Sequence, residues 1–137
     1  RSIIEQTIES LNRVDEKINE LLEAPGNLRI IEFRIQRGNL FFDTLQDEII
    51  FELSNSKSLF SEPGVEISIG RINVTTTEGT KEHTITLTLP LQQNLTFNGA
   101  DDSEAIKFVA ASIPYKFSME NKGLMGNNIQ IDVTENS

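Results

Sequence analysis

Apolar residues recur along the N-terminal stretch at intervals of three and four: Ile4, Ile8, Leu11, Val14, Ile18, Leu21 and Leu22. That spacing gathers them on one side of a helix. The opposite side carries Glu5, Glu9, Arg13, Glu16, Lys17 and Glu20, and Glu9 stands four residues before Arg13, a pairing that helices favour. Ser2 followed by Glu5 predicts a capping box over the free N–H groups of the first turn. Pro25-Gly26 ends the helix, since proline cannot continue it and glycine accepts the left-handed turn.

Beyond Asn27 the period becomes two. Ile31, Phe33 and Ile35 are interleaved with Glu32, Arg34 and Gln36. Ile49, Phe51 and Leu53 form a second run, and Val65, Ile67 and Ile69 a third that continues towards Ile72 and Val74. Ile85, Leu87 and Leu89 alternate with Thr84, Thr86 and Thr88; Tyr115, Phe117 and Met119, then Ile129, Ile131 and Val133, complete the pattern. Alternation places one face in a core and the other in water, the habit of antiparallel sheets, whereas parallel strands covered on both faces read as continuous apolar runs.

Turn residues punctuate these runs at Gly38-Asn39, Glu62-Pro63-Gly64, Glu78-Gly79 and Asn98-Gly99, and Pro63-Gly64 suits a type II turn. Gly123 to Asn128 lies between two strand patterns and reads as a hairpin loop, not as a phosphate cradle, which would lead from a strand into a helix. Ser103 to Ala111 fits either a short helix or a crossing loop. The fold class is mainly β: an antiparallel β-sandwich of six to eight strands over residues 27–137, with one N-terminal amphipathic helix over residues 1–24.

Charge and composition narrow the function. The 137 residues suffice for one core, and their net charge of −9, with no run of Lys and Arg, disfavours nucleic acid and anionic lipid as partners. One Tyr and no Trp leave little for a sugar-binding platform, and the absence of Cys removes disulfides, thiol catalysis and thiolate metal sites. No apolar run is long enough to cross a bilayer, so membrane contact is expected only through a segment absent from this chain. No stretch reads as a signal peptide, and a start at Arg1 without Met reads as a processed or truncated terminus.

Candidate chemistry is sparse. His83, the sole histidine, has no G-x-S-x-G or H-E-x-x-H motif beside it and reads as a solvated strand residue. Asp101, Asp102 and Glu104 form the densest acidic cluster, a place for calcium or for the carboxylate pair of a hydrolase. The D-x-D-x-D-G loop is missing, and Asp102 or Ser103 serves equally as a cap. No catalytic residue, cofactor or metal is expected. Asn73-Val74-Thr75 and Asn94-Leu95-Thr96 make Asn73 and Asn94 candidate glycosylation sites, though composition alone produces about two such triplets. The Thr-rich faces, Thr75 to Thr77 and Thr84, Thr86 and Thr88, suit an exposed surface domain and follow equally from β-propensity.

The helix is the main candidate for contact with a partner. Ile4, Leu11 and Ile18 lie seven apart, as do Thr7, Val14 and Leu21, the a and d spacing of a coiled coil. Ile4, Ile8, Leu11, Val14, Ile18 and Leu21 are therefore the candidate interface residues. Packing on the domain's own sheet is the other placement, and Ile3, Ile8 and Leu22, which widen the stripe beyond a narrow seam, favour it.

The order of features has a family likeness. A helix feeds a Thr-rich β domain, followed by Leu59-Phe60-Ser61-Glu62-Pro63-Gly64-Val65-Glu66-Ile67, Asn94-Leu95-Thr96-Phe97-Asn98-Gly99, Pro114-Tyr115-Lys116-Phe117 and a last strand through Asn128-Ile129-Gln130-Ile131. This layout resembles the extracellular domain of archaeal type IV pilin-like proteins, a group that includes pilin-like archaellum stator components. The resemblance covers most of the chain and rests on layout and turn phrases. It implies a hydrophobic helix ahead of this chain, with Arg1 to Glu23 as its outer half. It also implies a β domain outside the cell, often glycosylated, that makes protein–protein contacts in a filament or envelope assembly. The expected localisation is extracellular, at the cell surface, membrane-tethered in the full-length protein, and the expected role is non-catalytic. The alternative is a soluble binding or particle module that self-assembles through the heptads.

Overall fold

The computed structural model describes residues 2–56 and 63–136, so the Leu59 to Glu62 part of the pilin-like phrase lies outside the described residues. Helix α1 spans Ile3–Leu21, where the spacing of apolar residues places it. Its capping box is formed: Glu5 N–H donates to Ser2 Oγ at 3.1 Å, and Ser2 N–H donates to the Glu5 carboxylate at 3.4 Å. Ten strands follow in chain order: β1 (Leu28–Phe33), β2 (Asn39–Asp43), β3 (Glu48–Ser56), β4 (Ile67–Ile69), β5 (Ile72–Glu78), β6 (His83–Pro90), β7 (Asn94–Phe97), β8 (Ile106–Val109), β9 (Tyr115–Met125) and β10 (Asn128–Asn136).

These strands make two sheets, one ordered β1-β9-β10-β7 and the other β4-β5-β6-β3-β2-β8. The mainly β, two-sheet architecture with one N-terminal helix agrees with the alternating pattern. The strands of the described residues exceed the expected six to eight because β2, β7 and β8 are too short to show a run, and the run from Val65 to Val74 breaks at Gly70-Arg71 into β4 and β5. Ser103 to Ala111 contains β8, with Phe108 turned to the core and Lys107 to solvent. Every neighbouring pair is antiparallel except β7 and β10, which run parallel.

The two sheets are held apart at one end and closed at the other. Helix α1 is wedged between them, touching β1 and β9 on one side and β5 and β6 on the other. Away from the helix the sheets meet through Phe42, Phe97, Phe108, Tyr115 and Phe117; Phe42 and Phe117 pack edge to face with centroids 4.9 Å apart. Along the inner face of β9, Tyr115 and Phe117 join this aromatic cluster, while Asn121 reaches the C-terminal end of α1.

This wedge corrects the partner-facing expectation for the helix. Ile4, Ile8, Leu11, Val14, Ile18 and Leu21 are all buried in the domain's own core, Leu11 and Leu21 completely. The physical reason is the gap between the sheets: filling it removes each of these side chains from water, worth about 1.5–3 kcal/mol apiece. The outward side of α1 is left charged, with ion pairs from Glu9 to Arg13 and from Glu20 to Lys17 and to Arg29 of β1. Helix and sandwich thus share one core.

Two glycines are dictated by local geometry. Gly38 has φ +92, and a Cβ there would stand 2.6 Å from the Glu52 carbonyl oxygen and from Phe51 Cζ. Gly123 has φ +85 and sits where β9 carries one more residue than β10 opposite it, a bulge. Gly64 takes the positive φ expected of Pro63-Gly64, at +79. The β9–β10 connection is tighter than the Gly123 to Asn128 loop predicted, because β9 continues to Met125 and only Gly126 and Asn127 turn.

Strand β7 is an edge strand whose free side is closed by the chain itself. Leu95 N–H donates to Asp47 Oδ1 at 2.8 Å, and Phe97 N–H donates to the Ala100 carbonyl at 2.9 Å. These bonds occupy main-chain groups that would otherwise accept a further strand.

Candidate functional site

Two groups of buried polar side chains stand out, while Thr7, Thr44 and Thr76 are buried elsewhere. The first is Asn121, 1% exposed on the inner face of β9. Its side-chain amide donates to the Leu21 carbonyl at 2.9 Å, and its side-chain oxygen accepts from Gly123 N–H at 2.8 Å. Its main chain is also bound on both sides, donating to the Asn27 carbonyl and accepting from Gly26 N–H. One residue therefore satisfies the end of α1, holds the loop after it and sets the bulge in β9.

The second place lies between β7 and β10 on the outward side of the smaller sheet. Thr96 Oγ1 donates to Asp132 Oδ1 at 2.6 Å, and Gln130 Nε2 donates to Thr96 Oγ1 at 3.0 Å. Gly99 N–H donates to the same Asp132 oxygen at 2.8 Å. Thr96 is 1% exposed and Asp132 is 8% exposed, although alternation alone points both outward. The Asn98-Gly99 turn covers them, pinned by Asn98 N–H to the Val133 carbonyl at 2.9 Å. A buried hydroxyl and carboxylate are thus held beside a half-exposed carboxamide.

The residues singled out from the sequence fare differently. Asn94, half-buried, donates its side-chain nitrogen to the Met125 carbonyl at 2.8 Å, and the Thr96 hydroxyl of its sequon is sunk in the network just described. Asn73 lies on β5 with its side-chain oxygen accepting from Ser68 at 3.2 Å. The structure therefore does not bring the two sequons together. Asp101, Asp102 and Glu104 are all exposed on the connection between β7 and β8, and no cluster of three or more His, Cys, Asp or Glu suited to a metal forms among the described residues. His83 begins β6 opposite Glu78 and is half-buried, with Nδ1 buried and without a hydrogen-bond partner among the described residues, so it is less solvated than its place in the sequence implied.

Among the described residues, two carboxylates have displaced acidities. The Arg29 guanidinium bound to Glu20 holds its carboxyl below the usual range, with Lys17 adding to the effect. Burial, with the nearby charge of Asp43, pushes Glu48 up. Glu20 lies on α1 and Glu48 on the β2–β3 hairpin.

Among the described residues, the exposed large apolar side chains are Leu28 and Ile30 on the outer face of β1, with Leu45, Val65, Val109, Ile113 and Leu124 on turns and strand ends. Leu28 and Ile30 are flanked across the β1–β9 ladder by Glu120 and Ser118. Compared with known proteins, the chain matches no family model, no curated protein and no solved structure.

Proposed function

We propose that this domain is a non-catalytic structural and interaction module of the cell surface, the outward head of a pilin-like, membrane-anchored subunit that works through protein–protein contact. The observation that supports this reading is the position of α1. It is the first element of the fold, its apolar stripe is consumed in the core, and its outward side is charged. A helix gripped in this way ties whatever precedes it firmly to the β head, the mechanical arrangement that the layout resemblance implies. Contacts with partners then fall to the exposed strands and turns, including Leu28 and Ile30, and not to the helix stripe. The neutral Thr faces of β5 and β6 and the net charge of −9 suit a solvated outer surface.

Burial of the heptad positions weighs against the alternative of a soluble module assembled through the helix, because the residues it needs are already occupied. The experiment that tests the proposal is peptide-level mass spectrometry of the native gene product from membrane, shed and soluble fractions, with protease shaving of intact cells. A membrane species extended by a hydrophobic segment ahead of Arg1, and shaved from intact cells, supports the reading. A soluble product protected inside the cell overturns it.

A further inference from the structure

We propose that Thr96 and Gln130 become joined by an intramolecular ester bond, made by the chain itself, that clips edge strand β7 to β10. The reacting side chains are neighbours, and a turn of the Gln130 carboxamide brings its carbon in place of its nitrogen to the Thr96 hydroxyl. Thr96 Oγ1 donates to Asp132 Oδ1 at 2.6 Å, the geometry of a hydroxyl beside its general base. The Gln130 carboxamide nitrogen lies 3.0 Å from the same hydroxyl oxygen, and the carbonyl carbon is one bond behind that nitrogen. Asp132 is itself fixed by Gly99 N–H at 2.8 Å, and β7 and β10 hold both strands in register, with Asp132 opposite Thr96 and Gln130 opposite Asn94. Holding a nucleophile, its base and an electrophile on one rigid ladder supplies the proximity that an amide needs to be attacked by an alcohol.

The step balances without a co-reactant. Thr96 Oγ1 attacks Gln130 Cδ, and its proton passes to Asp132. The Oγ1–Cδ bond forms; the Cδ–Nε2 bond then breaks, and the nitrogen takes the proton from Asp132 and leaves as ammonia. Nothing is oxidised or reduced. Gln130 is half-exposed, which leaves ammonia a way out of the site. This is one self-modification per molecule and not turnover of a substrate.

Intact-mass spectrometry of the purified full chain, with tryptic mapping, tests this. The expected wild-type mass is lower than the sequence mass by one ammonia, with peptide 82–107 joined to peptide 123–137 and separated by mild alkali. Thr96→Val is expected to restore the full mass with an unchanged circular dichroism spectrum. Asp132→Asn is expected to slow the reaction about 100-fold or more, leaving most chains linear. Thr96→Ser is expected to rebuild the link. A wild-type chain that keeps its full sequence mass through days at neutral pH overturns the proposal. So does ammonia lost from Asn98-Gly99 with both peptides linear.

Discussion

The side-chain amide of Asn121 donates to the main-chain carbonyl of Leu21 at 2.9 Å, joining residues 100 apart in the sequence. It fastens the C-terminal end of the helix to the middle of a central strand. Asn121→Ala leaves the Leu21 carbonyl and Gly123 N–H without their partner at a site 1% exposed. The expected cost is about 2–4 kcal/mol, read as a lower urea midpoint. Asn121→Asp is expected to be worse, since it sets a carboxylate oxygen against a carbonyl.

Leu11 is completely buried at the centre of the helix stripe. Leu11→Ala is expected to destabilise the chain by about 2–5 kcal/mol through lost burial and a residual cavity. Sedimentation of the parent and the variant separates this from an interface role. The oligomeric state is expected to be the same in both at temperatures where each is folded.

Gly38 leaves no room for a side chain, and its φ of +92 is costly for any other residue. Gly38→Ala is expected to cost about 2 kcal/mol or more, seen in thermal unfolding. Gly64, at φ +79 but with open space where a Cβ would stand, is the control and is expected to lose less on the same change.

Acidity provides opposite signs at two residues. The Glu48 carboxyl is raised in the folded state, so the fold binds this proton more readily than the unfolded chain. Its charged form opposes folding at neutral pH, and the penalty is relieved as pH falls through the folded value. Glu48→Gln is expected to stabilise the chain at neutral pH by about 0.5 kcal/mol or less after solvent screening, with the advantage shrinking in acid. The Glu20 carboxyl is lowered by Arg29, so its contribution is present above the ordinary carboxylate range and is lost as pH falls through the lowered value. Arg29→Gln is expected to unfold more easily than wild type at neutral pH, with the two converging in acid.

The helix and the longer strands are legible because their apolar periods are long and uninterrupted. The seat of the helix is not, since the stripe from Ile4 to Leu21 has the same spacing whether it faces a neighbouring molecule or the gap between two sheets. Only its width, through Ile3, Ile8 and Leu22, carried a hint. Asn121 escapes a sequence reading because a polar residue after Met119 looks like the end of the apolar run; alternation keeps it on the inner face of β9, and the docked end of α1 buries it. Thr96 and Asp132 escape for the opposite reason. They occupy outward positions, and the Asn98-Gly99 turn folds back over them. The signal that was present is the turn dipeptide two residues after Thr96, together with Asp132 lying between the buried residues Ile131 and Val133.

Because α1 lies between the sheets while residues 23–26 lie exposed, severing the chain at Pro25 would not part a stalk from a head. It would give two complementary fragments of one fold, each with apolar surface that only the other covers. Mixed together, they should recombine as a split protein does, so a cut in this connection breaks covalent continuity without releasing the β domain from its helix.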